Sequence, residues 1–136
     1  MRKLALALAT GAVLLSAPAV QASDKPTPEA RLAKILEGRV AGEPVDCIFM
    51  PSVRNTQIID KTAIVYDAGS TIYVNRPASG AESLDRDSML VTRLTGSQLC
   101  SIDTVHLRDR SSHFWEGFVG LGKFVPYTRA KAAKAD

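Results

Sequence analysis

Apolar residues recur at two different periods along this chain, and the change of period divides it. Over residues 28–38 the spacing is helical. Leu32, Ile35 and Leu36, with Ala30 and Ala33, form the apolar set, while Arg31, Lys34 and Glu37 stay largely outside it. Thr27-Pro28-Glu29 opens the run with a hydroxyl cap, a proline at the first helical position and an acid in the first turn. Gly38 supplies a stop. From Val45 onward the pattern changes to short β-favouring runs separated by turn formers: residues 45–50, ended by Pro51, then 56–60, 62–66, 71–75, 88–94, 98–107 and 124–127, with an aromatic stretch over residues 114–118 ahead of the last. Asp67-Ala68-Gly69-Ser70 makes residues 62–75 read as a hairpin, and Gly96-Ser97 joins residues 88–94 to 98–107 in a second. Residues 76–87, punctuated by Pro77 and Gly80, form the longest loop between them. One short N-terminal helix with five to seven short antiparallel strands predicts a mainly β fold, a small barrel or sandwich with the helical stripe laid across a sheet. An open sheet covered by the helix is the alternative.

The first 22 residues stand outside this pattern. Arg2 and Lys3 precede an apolar stretch over residues 4–15, broken only by Thr10 and Gly11, and Val20-Gln21-Ala22 offers a peptidase site. That is the three-part form of a secretory signal, too short to span a bilayer. Cleavage after Ala22 is expected, with no cysteine following it to take a lipid. The mature chain is then a periplasmic protein that does not span the membrane: a flexible leader (residues 23–27), a single β-rich domain (28–128) and a disordered tail (129–136). Removing Arg2 and Lys3 leaves 15 basic residues facing 14 acids, so the formal +3 of the whole chain falls to +1. So even a balance gives no electrostatic case for nucleic acid.

Export gives the two cysteines a meaning. A mature domain of this size buries a modest core, and an oxidising compartment favours a crosslink as supplement. Cys47 and Cys100 permit one internal bridge, tying the first strand to a late one, and no CxxC motif points to redox chemistry instead.

Candidate catalytic chemistry is sparse. Cys100, Asp103 and His106 are of catalytic type, but on a straight strand Cys100 and His106 stand about 20 Å apart with Asp103 on the opposite face. His106 and His113 lack the partners of a metal site, and Gly117, Gly120 and Gly122 lack the lysine and hydroxyl of a phosphate loop. No catalytic residue, metal or cofactor is assigned. The best binding surface is Arg108, Arg110, His113 and Trp115, with Phe114 beside them, since aromatics next to arginines suit sugars, anions or protein partners.

Gly42-Glu43-Pro44-Val45-Asp46-Cys47-Ile48, Asn75-Arg76, Leu99-Cys100 with Asp103, and Leu121-Gly122-Lys123-Phe124-Val125-Pro126-Tyr127, in that order, resemble a group of short exported proteobacterial proteins classified only as a domain of unknown function. The resemblance covers residues 32–127. It implies the exported compartment and the one-domain architecture, and it supplies no activity. Members of the group are often richer in cysteine, with a further pair expected near Ala81 and Val119, where this chain has none.

Two readings of function follow. The first is a non-enzymatic binding or structural module of the envelope, monomeric, engaging an envelope protein or ligand through the 108–115 surface. The second is a small periplasmic hydrolase whose site is assembled from separate strands, with His106 or His113 meeting a carboxylate or hydroxyl.

Overall fold

The computed structural model describes residues 24–131; the expected export signal and the end of the expected tail, residues 132–136, lie outside the described residues. The helix α1 spans Pro28–Ile35, with the Thr27 hydroxyl accepting from the Ala30 amide at 3.2 Å and Leu32 buried. Ten strands follow: β1 (Arg39–Ala41), β2 (Cys47–Phe49), β3 (Asn55–Ile59), β4 (Ala63–Asp67), β5 (Thr71–Asn75), β6 (Ser88–Thr92), β7 (Gln98–Cys100), β8 (Thr104–Asp109), β9 (Trp115–Gly120) and β10 (Phe124–Arg129). They form three antiparallel sheets. The largest has the order β1-β10-β5-β4-β3, a second is β6-β8-β9, and a third pairs β2 with β7.

The protein is mainly β and sandwich-like, with no closed barrel among the described strands. Side chains alternate along a strand, so the five-stranded sheet buries two faces. Ile58, Ile64, Tyr66 and Phe124 face Leu107, Val105, Val119, Ile48 and Leu99 from the other two sheets. Ile59, Ala63, Val65, Ile72 and Val74 face the other way, under Leu32 of α1. Residues 63–66 are therefore buried at every position, which explains why that run is continuously apolar rather than alternating. The helix covers one face of a sheet whose opposite face makes the sandwich.

The 62–75 hairpin forms as its turn signal predicts, with β4 and β5 in register from Ile64↔Asn75 to Asp67↔Ile72. The second predicted hairpin does not form. Residues 98–107 are two strands, because Asp103 turns its carboxylate back onto the Cys100 amide at 2.7 Å and its own amide bonds the Cys100 carbonyl. That local hydrogen-bonded turn, with Ile102 at its exposed tip, breaks the run. β7 then pairs with β2, and β6 pairs with β8 instead. Two further differences are small. β1, a three-residue edge strand with little apolar patterning, carries no sequence signal. Arg129, assigned to the tail, closes β10 opposite Arg39.

Cys47 and Cys100 lie directly opposite each other in the β2–β7 pair and form the disulfide. The flanking bonds, Ser101 amide to Asp46 carbonyl at 2.7 Å and Met50 amide to Ser97 carbonyl at 2.9 Å, place the cysteines at a non-hydrogen-bonded position. There the side chains of facing strands come closest. Asn75, fully buried, holds the approach to β10: its side-chain nitrogen donates to the Gly122 carbonyl at 2.7 Å, and its oxygen accepts from the Gly122 amide at 3.0 Å. No helix of the described residues is long and apolar enough to cross a membrane.

Candidate functional site

The outer face of the three-stranded sheet is where exposed aromatics and cations meet. Val105 and Leu107 of β8 point into the core opposite Val119 and Gly117 of β9, and His106 points outward opposite Phe118. Had the register continued, Trp115 would lie opposite Asp109 and point inward. A β-bulge intervenes between Leu107 and Arg108: Leu107 faces Gly117, but Arg108 faces Trp115, so Glu116 is the extra residue. Gly117 takes φ 148°, a region that side-chain-bearing residues avoid. An inserted residue reverses which face the strand presents, and bulges re-aim side chains in this way. Trp115 is turned out of the core onto the face that carries Arg108, His106 and Phe118.

The result is an exposed aromatic pair. Trp115 is 59% exposed and Phe118 52%, and their rings stack at 6.4 Å between centroids and 29° between planes. Glu116 stays at the side of the sheet, where it accepts a 2.5 Å hydrogen bond from the Ser88 hydroxyl. A depression of about 360 Å³ runs beside the pair, its far wall the loop carrying Ser79 and Ser83. That loop can lie this close because Gly80 has φ 77° and no Cβ, which would run into the Phe118 carbonyl oxygen. On the other side of Arg108, a second hollow of about 320 Å³ is bounded by Val91, Arg93 and His106.

The β8–β9 turn supports this face from its end. Asp109 accepts from the Ser111 amide at 2.9 Å, the Ser112 amide at 2.6 Å and the Ser112 hydroxyl at 2.8 Å. His113 adopts a left-handed conformation, φ 60°, and its carbonyl accepts from Arg108 Nη1 at 3.0 Å, fixing the guanidinium at the turn. Bonds from Ser112, first its amide and then its hydroxyl, hold the Asp109 carboxyl below the ordinary aspartate value, helped by the Ser111 amide and the His113 charge. A depressed carboxyl contributes its ordering above its unfolded pKa and loses it as pH falls through the folded value. The turn is therefore expected to hold at neutral pH and loosen only in acid. The Ser111 and Ser112 amide resonances should titrate together, with a midpoint below that of aspartate in an unstructured peptide.

Of the four residues singled out from the sequence, the structure joins Arg108 and Trp115 and sets His113 at their rim. Arg110 is separate. Its guanidinium reaches across the turn to the Asp87 and Ser88 carbonyls, at 3.4 Å each, and lines a different groove. Phe114 is 75% exposed at the turn. Sequence reasoning missed Phe118, Arg93 and His106 as members of the face, because alternation along a strand does not say which side is turned to solvent or that β6 and β9 flank β8. The glycine of Glu116-Gly117 was the available sign of a bulge.

The Cys100, Asp103 and His106 constellation is not assembled. The chain does bend between them, at residues 101–103, yet the sulfur is in the disulfide and the Asp103 carboxylate is held by the Cys100 amide. Among the described residues, neither imidazole hydrogen-bonds a carboxylate or hydroxyl, and no three His, Cys, Asp or Glu side chains cluster as metal ligands. No family model, no curated protein and no solved structure matches the chain.

Proposed function

We propose that the chain is an exported, non-enzymatic binding module of the cell envelope, which engages its partner through the outer face of the β6-β8-β9 sheet. The observation that carries this reading is the β9 bulge. A core-facing position is diverted to put the chain's one tryptophan in solvent, stacked on Phe118 and flanked by Arg108. Exposing two large aromatics forgoes about 2 kcal/mol of burial for each, and contiguous exposed aromatics beside arginine are the usual composition of an interaction hot spot. Residues 1–22 have the form of an export signal, and a disulfide suits the oxidising compartment that such a signal leads to. The resemblance to short exported proteins of unknown function agrees with that compartment.

A photo-crosslinking amino acid placed at Phe118 tests the reading in a proteobacterial host exporting the full chain. Irradiation is expected to give a discrete adduct. Trp115→Ala should reduce its yield at least tenfold, and the same crosslinker at Ile102, an apolar position 91% exposed on a turn away from this face, should give none. Equal adducts at both positions, or none at Phe118, would discard the face as a binding site.

A further inference from the structure

The groove that takes Arg110 has walls of an unusual kind. β3 is the last strand of the five-stranded sheet and β6 the last of the three-stranded sheet, and among the described residues neither outer edge is paired. Residues 56–58 form one wall and residues 88–90 the other, enclosing about 430 Å³. The edges converge at one end, where the Lys61 amide bonds the Leu84 carbonyl at 3.0 Å and Asp60 accepts from the Arg86 amide at 2.7 Å. Open edges invite added strands, and proteins commonly blunt them with lysine or proline within the strand. Neither device is present in Asn55–Ile59 or Ser88–Thr92.

The charge around this seam is one-sided. Arg31, Arg86 and Arg110 line the groove, and Lys25 lines the hollow that continues from it past Arg31 and Arg86. Asp60 is the carboxylate at the junction, and it is occupied by Arg31 at 3.3 Å and by the Arg86 amide. Asp85 turns back onto the Asp87 amide. Arg110 touches only carbonyl oxygens. At the base of the groove Ile58 belongs to the sandwich core and Leu90 packs against it, so the seam has an apolar floor and cationic flanks.

We infer that the seam between β3 and β6 receives an extended acidic segment of a partner protein, which adds a strand between the two sheets. The free backbone groups of β3 and those of β6 beyond Ser88, whose amide and carbonyl are held by the Asp85 carbonyl and by Arg110, supply the ladder; the floor takes alternate apolar side chains, and the arginines take the acids between them. At strand spacings the volume holds about three residues. The chain's own tail beyond β10 is the wrong occupant, because it sets Lys131 and Lys134 against the single acid Asp136 and its remaining residues are alanines.

The test titrates the isotope-labelled full mature chain with a capped pentapeptide alternating glutamate and valine. Binding should shift the amide resonances of residues 56–58 and 88–90. The combined variant Arg86→Ala with Arg110→Ala should weaken it at least tenfold while far-ultraviolet dichroism stays unchanged. N-methylating the peptide backbone should abolish binding, and Trp115→Ala should leave it intact, which separates this site from the aromatic face. The inference is overturned by equal binding of a lysine–valine peptide, by free glutamate competing as well as the peptide does, by association of two copies through these edges without peptide, or by no shift at either wall.

Discussion

Reducing the Cys47–Cys100 bridge is expected to lower the unfolding free energy by about 4 kcal/mol. The bridge closes a loop of 53 residues, and the chain-entropy treatment of a loop that long gives this magnitude. A domain of this size has about 5–15 kcal/mol in total, so the loss takes a large share of it. The structure makes the loss local as well as global. β2 and β7 are three residues each and pair only with one another, apart from the Val45–Phe124 bridge just before β2. A pair that short has little independent stability. Urea unfolding with and without reductant measures the difference, and Cys47→Ser with Cys100→Ser should reproduce the reduced curve. Hydrogen exchange should quicken first at Ile48 and Leu99, while the β4–β5 amides stay protected. A change under 1 kcal/mol would mean that the two strands are held by packing alone.

Phe124→Ala is expected to cost about 3–5 kcal/mol, the usual range for deleting a buried phenylalanine ring. Phe124 is fully buried and meets Tyr66 edge to face at 5.7 Å. Its amide and carbonyl also exchange bonds with Val45, at 2.9 and 2.8 Å, just ahead of the disulfide strand. The residue thus lies where the large sheet, the sandwich core and the β2–β7 pair converge. Tyr66→Phe is the control. The Tyr66 hydroxyl is buried without a hydrogen-bond partner among the described residues, and burial pushes its phenol well above the ordinary tyrosine value. Deleting it removes an unsatisfied polar atom and should leave stability within about 1 kcal/mol or raise it. Denaturant midpoints of the two variants should therefore separate clearly. Equal losses would place the core elsewhere.

Legibility in the sequence followed the range of the forces involved. Thr27-Pro28-Glu29 marked the helix start, and Asp67-Ala68-Gly69-Ser70 marked a hairpin, because caps and turns are decided by neighbours within four residues. The Cys47–Cys100 pairing was legible because only one pairing exists. What failed depended on long-range partners. Residues 98–107 carry β propensity throughout, and nothing local told β7 to join β2 while β8 joined β6. Asp103 was readable as a residue of catalytic type, whereas its role as a turn former depends on the Cys100 amide coming within reach. The binding face suffered most. Arg108, Arg110, His113 and Trp115 are close in sequence, but a tight turn sends Arg108 and Arg110 to different sites, and a one-residue bulge decides where Trp115 points.

That bulge is open to direct measurement, because Trp115 is the only tryptophan in the chain. On the outward face, with Arg108 opposite it and Glu82 and Glu116 lining the same hollow, its emission should resemble that of tryptophan in water, and iodide and caesium should both quench it because the surroundings are of mixed charge. Emission shifted to the blue and resistant to both ions would show Trp115 in the core, with β9 in unbroken register and no aromatic face on this sheet.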